Sequence, residues 1–444
     1  MTIHFGSPYW WEHGAALPDL PETPPANASL AIIGAGYTGL SAALFAARQG
    51  VDVVVLEAGV PGIGASTRNG GMFGAHPRLA VDDMIARHGE DVAEAIFRES
   101  VTAYDWTRNL IADEGIDCDL QVSGRIQLAW SRAHFEDQKR LVAELDRRDA
   151  GKFRIVERAE LHNEISTDRY FGGILFESHA GLHPRKFHDG LLAAALKAGV
   201  RIVQNCPVVT LQRSRSGFHL ETPGGTVRAG KVIAATNGYT KSPLNWLSRR
   251  VFPLPSFIVA TEPLSPNLIS QLAPGRRMMV ETRARHSYFR ISPDGSRILW
   301  GGRAAMTPTG PQKAADLLRN SMEEIWPALK DVKLTHSWTG NTGFAFNHTP
   351  HVGVRDGLFF AVGYSGSGVA MAPYLGMKAA ARALGHPEGE TAFAHSSLAT
   401  RIFHPGGRPW FLVPGQAWYS QVVDRREASI AARDRALGGF TQPR

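Results

Sequence analysis

The stretch Ser29–Glu57, SLAIIGAGYTGLSAALFAARQGVDVVVLE, decides the fold. SLAIIG is a continuous apolar run ending in glycine, the pattern of a short strand buried in a parallel sheet. Gly34, Gly36 and Gly39 follow with the G-x-G-x-x-G spacing. LSAALFAARQG then reads as a helix stopped at Gly50, and VDVVVLE as a second strand ending at Glu57. Each part has a physical task. Gly34 permits the tight turn, Gly36 lets backbone N–H groups approach a pyrophosphate, and Gly39 lets helix and strand pack closely. The helix start, with Tyr37 and Thr38, offers unsatisfied donors and a positive dipole end to that phosphate. Glu57 lies eighteen residues past Gly39, where a carboxylate can accept from ribose hydroxyls. The order of strand, glycines, helix, strand and acid specifies a Rossmann-type dinucleotide site.

That unit alone does not separate FAD from NAD. After Glu57 the chain runs AGVPGIGASTRNGGMFGAHP, a loop of small residues where an NAD domain would normally continue into another helix. Backbone can lie close to an extended cofactor where side chains are absent, so Ala58, Ala65, Ser66, Thr67, Arg68, Asn69, Gly70 and Gly71 are candidate contacts. A surface loop is the bland alternative. Val227–Tyr239, VRAGKVIAATNGY, is a further strand and brings Ala235 and Thr236 to its end. Leu358–Gly385 reads as strand, glycine turn and long helix, with Gly363, Gly366, Ser367, Gly368 and Val369 at the turn. Read alone, this last segment is equally a plain βα packing unit. Beside the first motif, it points to FAD.

At 444 residues the chain calls for two intimately joined domains, and 43% hydrophobic with 20% charged residues is ordinary soluble composition. The net charge of +7 raises nucleic acid as a partner. Yet the charge is local: seven arginines lie in Gln271–Arg303 against Glu281 and Asp294, and seven more in Arg401–Arg444 against three acids. No nucleic-acid motif accompanies them, so an anionic small substrate or solvated faces are expected instead. Cys118 and Cys206 have no metal-ligand spacing and make no disulfide scaffold, which suits a reducing cytoplasm. The opening MTIHFGSPYWWEHG lacks a signal-peptide pattern, and no apolar run is long enough to span a bilayer. A cytoplasmic chain with no membrane span and no nucleic-acid partner is the expectation.

Ordered motifs along nearly the whole chain carry a resemblance: SPYW before the first strand, IIGAGYTGLSAA, GASTRNGG, AATNGY, YFRISPDGSRILWGGR, WTG at Trp338–Gly340, GYSGSGV and GGRPWFLVPGQAWY. The sequence resembles the FAD-dependent amine and amino-acid oxidases related to D-amino-acid oxidase, above all their γ-glutamylputrescine oxidoreductase branch. The resemblance implies an α/β fold, with a Rossmann-type FAD-binding domain and an α+β substrate domain built on an antiparallel sheet. The FAD domain is expected at 1–80, 171–245 and 345–390, the substrate domain at 81–170 and 246–344, and a tail packed on the body at 391–444. Val208 and Gly340 join the cofactor contacts. Tyr288, Arg290 and Arg303 lie on hairpin strands that in relatives face the flavin.

The implied reaction passes a hydride from the carbon next to an amine nitrogen to flavin N5, after which the imine hydrolyses. Such chemistry needs positioning more than acid–base groups. Arg290, or second Arg303, is expected to clamp an anionic group of the substrate bidentately. His76, His348 and His351 are candidate proton acceptors, Trp338 a candidate pocket wall, and a structural role is the alternative for each. The partners implied are a small amine and molecular oxygen or another electron acceptor. A dehydrogenase using a quinone or protein acceptor, and a non-catalytic flavin-binding protein, are the alternatives. The chain departs from its relatives in three places. No cysteine lies in the C-terminal half where sarcosine-oxidase relatives attach FAD, so non-covalent FAD is expected. Thr67 replaces a common glycine, and Phe346-Asn347-His348-Thr349-Pro350 lacks the branch's acidic residue.

Overall fold

The apolar run beginning at Ser29 is a strand, Asn27–Ile33, and the helix after the glycines spans Tyr37–Arg48. The structure is a computed structural model that describes residues 3–74, 81–148, 151–395 and 397–437. Asn27–Ile33 lies between Val53–Leu56 and Gly225–Ala234, parallel to both. Arg201–Val203 continues the parallel set past Val53–Leu56, and Leu358–Val362 pairs parallel with the end of Gly225–Ala234. Every residue of Val53–Leu56 is buried, as a strand covered on both faces requires. Gly225–Ala234 is ten residues long, so its first half also pairs antiparallel with Gly217–Thr222. The helix Gly368–Leu384 crosses Tyr37–Arg48 so closely that a Cβ on Gly376 would sit 2.2 Å from the Thr38 carbonyl oxygen. Only glycine permits that approach.

Among the described residues a second, larger sheet has nine strands and is mainly antiparallel. Its centre is Leu334–Ala345, Val251–Thr261, Ile298–Gly302 and Ser287–Ile291, in that order. The last two form the hairpin expected around Pro293-Asp294-Gly295. Alternation along each strand divides its side chains between two faces. Phe257, Val259, Phe289 and Trp300 face the helix Pro311–Ile325 in one core, where Phe289 and Trp300 stack at 4.0 Å. Tyr288, Arg290, Ser256, Gly301 and Trp338 belong to the other face, which looks toward the Ala65–Gly71 loop. Helices Val81–His88 and Glu90–Asp113 pack on each other, Glu90–Asp113 packs on Gly368–Leu384, and Arg132–Arg147 packs on the strands Phe153–Glu157 and Gly172–Phe176 of the large sheet.

The proline-rich lead-in Pro18–Pro25 runs over the surface and inserts one side chain, Leu20, into the main core. In the tail, Phe411 and Leu412 pack against Phe252 and Phe344, but Trp410 and Trp418 are 58% and 60% exposed and do not anchor it. Polar ties hold the tail instead: Arg285 pairs with Asp424, and Asp434 accepts from the Arg132 backbone N–H. No helix among the described residues is long and apolar enough to cross a membrane.

Candidate cofactor and substrate site

The carboxyl ends of the parallel strands deliver Gly34, Glu57, Ala235 and Gly363 to one edge of the smaller sheet, where ligands of open α/β sheets bind. Gly34 turns with φ +105° and Gly363 with φ +82°, conformations that favour glycine. Glu57 braces the first turn, because its two carboxylate oxygens accept from Ala35 N–H at 2.8 Å and Gly59 N–H at 3.0 Å. Cys206 N–H donates to the Glu57 carbonyl at 2.8 Å, which lays the segment leading to buried Val208 beside the same edge. Asn237, next after Thr236, accepts from Gly363 N–H at 2.9 Å and ties two strand ends together.

Two helices begin at this edge, and neither is capped by the side chain of its own N-cap residue, Gly36 or Ser367. Their first-turn N–H groups and positive dipole ends suit a phosphate-bearing ligand. A Cβ on Gly36 would lie 2.8 Å from Ser66 Oγ, so that glycine keeps the cradle open. Gly366 and Ser365 make the turn into the second helix with φ +106° and +51°. Thr38 Oγ1 and the buried Tyr364 hydroxyl are 2.7 Å apart and tie the first helix to the turn that leads into the second. The residues present fit a dinucleotide cofactor.

From the first turn the Ala65–Gly71 loop reaches the larger sheet. Ser66 Oγ accepts from Tyr37 N–H at 3.0 Å on the cradle side. Within the loop, Asn69 Nδ2 donates to the Ala65 and Ser66 carbonyls, and Asn69 Oδ1 accepts from Gly71 N–H at 2.8 Å. Thr67 donates to the Gly62 carbonyl at 2.6 Å. Arg68 sends Nη1 to the carbonyls of Gly6 and Thr339, while Gly340 passes 3.0 Å from Arg68 Cβ, measured from where its own Cβ would stand. The Tyr288 ring covers Gly70 and Gly301, and its hydroxyl meets Ser256 Oγ at 2.8 Å.

The arginines are placed differently from the expectation. Arg290 is 5% exposed, and its guanidinium donates to three carbonyls: Gly71 at 3.1 Å, Leu182 at 3.0 Å and Ile291 at 3.1 Å. Burial pushes its pKa down to about 10. Carbonyl acceptors therefore satisfy this cation without a substrate anion. The local positive charge is also largely matched within the fold: Arg277 pairs with Glu164, Arg283 with Glu281 and Glu324, and Arg285 with Asp424. Arg303 is half-buried at the end of its strand, its guanidinium 4.9 Å over the Phe344 ring. His348, with φ +59°, meets the same ring edge-on at 5.6 Å, so Arg303 and His348 share one neighbour. His351 is buried against Asn347 Oδ1 at 3.0 Å, and His76 lies outside the described residues. Trp338 is not an open pocket wall; it is 2% exposed and its indole donates to the Arg68 carbonyl.

Comparison with known proteins gives this geometry its context. Residues 29–382 match the DAO family model, described as FAD dependent oxidoreductase. The chain belongs to the DAO family. It is 31% identical to gamma-glutamylputrescine oxidoreductase of Escherichia coli over 396 residues, covering 88% of this chain and 91% of that protein. It is 32% identical to a Haemophilus influenzae protein named "Probable oxidoreductase OrdL", over 83% of this chain and 85% of that one. Among solved structures, glycine oxidase from Geobacillus kaustophilus shares the fold, with a TM-score of 0.71 at 21% identity over 85% of this chain. As a DAO-family member the chain is an FAD-dependent oxidoreductase, and FAD is the dinucleotide that its cradle is built to hold. Sequence reading missed Trp10, Trp11, Ser256, Asn237 and Tyr364. The aromatic run YWW, Tyr9–Trp11, was the one visible signal, and nothing local says what it reaches.

Proposed function

We propose that this enzyme oxidises an amine or N-substituted amino acid bearing an anionic group, with FAD held non-covalently. One observation carries the reading: a single loop, Ala65–Gly71, joins the dinucleotide cradle at Ser66 to the Tyr288 face of the larger sheet. A cofactor following that loop ends where Tyr288 and Ser256 meet, on the sheet whose strand Ile298–Gly302 leads into Arg303. Gly34–Gly39 and the start of Gly368–Leu384 would hold the pyrophosphate, Glu57 the ribose, and the loop the ring system. Bound FAD supplies an acceptor for the hydride of the carbon next to nitrogen. The protein's part is to hold that carbon still and exclude water. Arg303 orients the substrate anion, Tyr288 with Ser256 fixes the amine end, and His348 is the nearby titratable group.

The smaller sheet with its helices then acts as the cofactor domain and the larger sheet as the substrate domain. The names of the relatives, which act on γ-glutamylputrescine and glycine, support an amine-bearing substrate with a carboxylate. Buried free thiols at Cys118 and Cys206 suit a reducing cytoplasm. The test is anaerobic: amines, N-methyl amino acids and matched uncharged amides are mixed with holoenzyme while flavin absorbance is followed. Bleaching by acidic amines ahead of their amides is expected. A flavin that no amine bleaches, or that neutral amines bleach best, overturns the proposal. Peroxide yield on readmitting air then identifies oxygen, or another compound, as electron acceptor.

A further inference from the structure

Three indole N–H groups converge on three successive residues of the Ala65–Gly71 loop. Trp11 donates to Thr67 Oγ1 at 2.9 Å, Trp338 to the Arg68 carbonyl at 3.0 Å, and Trp10 to the Asn69 carbonyl at 2.8 Å. They come from opposite ends of the chain. His4–Phe5 pairs parallel with Leu334–Ala345, the strand of Trp338, and the short helix Tyr9–His13 then presents Trp10 and Trp11. Gly6 N–H to the Ser337 carbonyl at 2.8 Å and a Glu12–His336 contact at 3.0 Å pin this N-terminal strap to the sheet. The Arg68 guanidinium lies 4.6 Å over the Trp11 ring and adds a stacking contact.

An indole N–H can only donate, so each ring dictates where its acceptor points. In a planar trans peptide the C=O of one residue and the N–H of the next point opposite ways. Turning the Arg68 and Asn69 carbonyls toward the sheet therefore turns the N–H groups of Asn69 and Gly70 away from it. Neither N–H has a hydrogen-bond partner among the described residues. Adjacent N–H groups without partners are receptors for an electron-rich atom.

We propose that Trp10, Trp11 and Trp338 are positioning residues that aim the Asn69 and Gly70 N–H groups at the flavin ring. The N-terminal strap, which precedes the first cofactor strand, is thereby part of the flavin site. The inference rests on the proposed reading that the loop lies against FAD. Trp10→Phe and Trp338→Phe keep an aromatic ring and remove one donor each; Trp11→Phe, at a half-buried position, supplies the test should either core variant fail to fold. FAD dissociation from holoenzyme is followed by flavin fluorescence, with the visible flavin bands recorded and apoprotein unfolding measured in parallel. Each variant is expected to release FAD about threefold to tenfold faster, with shifted bands and unchanged apoprotein unfolding. Wild-type release rates and bands in Trp10→Phe/Trp338→Phe, or in Trp11→Phe should that pair not fold, overturn the proposal. Amide exchange over residues 65–71 separates this from the underlying reading. Protection by FAD in wild type with unaffected variants sinks the clamp alone; absence of protection sinks both.

Discussion

Replacing Gly39 by alanine puts a methyl group 1.9 Å from the Gly34 carbonyl oxygen. Real Cβ atoms do not approach closer than 3.0 Å, so helix and turn must separate by about 1.1 Å. The obstacle is backbone, and that backbone is itself constrained: Gly34 holds φ +105° and its N–H donates to the Leu56 carbonyl at 2.9 Å. Overpacking of this kind costs about 3 kcal/mol, the upper part of the usual range. Gly36→Ala is the informative partner. Its Cβ meets only the Ser66 side chain, at 2.8 Å, and a hydroxyl can rotate away. The loss there is one Tyr37 N–H bond, about 1 kcal/mol. Gly36→Ala should therefore leave the apoprotein nearly intact while lowering FAD content, whereas Gly39→Ala should lower both. Urea unfolding of the two apoproteins by far-UV circular dichroism, with FAD per chain after purification, gives the comparison. A Gly39→Ala apoprotein as stable as wild type, or more stable than Gly36→Ala, refutes the packing argument.

The two arginines should separate by phenotype. Arg303→Ala should raise KM for an acidic amine about tenfold or more and leave its amide unchanged. Arg290→Met strands three carbonyls, so it should lower stability by about 2–4 kcal/mol without a charge-selective KM change; the reverse pattern would return Arg290 to the substrate. Acid precipitation should leave all flavin in the supernatant, since both cysteines are buried and free; fluorescence that stays with the pellet contradicts non-covalent attachment. His183 is buried, which pushes its pKa down to about 4. The unfolded chain takes up a proton near pH 6.5 that the folded state refuses, so stability should hold above pH 6.5 and fall toward pH 4, by about 3 kcal/mol from this group. Urea midpoints that rise on acidification across that window would exclude His183 as the controlling group.

What could be read from the sequence was chemistry whose partners lie close along the chain. Gly34, Gly36, Gly39 and Glu57 act within one βαβ unit, so spacing alone placed them. The Tyr288–Arg303 hairpin was visible through its turn and alternation, which tell the face of a side chain but not what stands opposite. The carbonyls that hold the Arg290 guanidinium were invisible for that reason: Gly71 and Leu182 are 219 and 108 positions away. The arginine-rich stretch looked like an anion site because Glu164 and Asp424, which match Arg277 and Arg285, stand 113 and 139 residues from them. Trp10 and Trp11 carried no local period, and their acceptors are backbone or hydroxyl atoms that no residue type announces.

The crossing of Tyr37–Arg48 by Gly368–Leu384 has a consequence for how the protein is made. Thr38 emerges from the ribosome 338 residues ahead of the glycine that packs on it. At ordinary elongation rates of about 5–20 residues per second, that gap lasts on the order of tens of seconds. Through that time the side of the first helix that Gly368–Leu384 covers stays open, although Pro184–Lys197 is already made and packs elsewhere on it, and for the first part of it Asn27–Ile33 also lacks the parallel partner arriving at Gly225–Ala234. Such long-separation contacts make slow folding and expose sticky intermediates. Overproduction that outruns chaperone capacity should therefore fail by aggregation of nascent chains, and slower translation at low temperature should recover yield more effectively than added riboflavin.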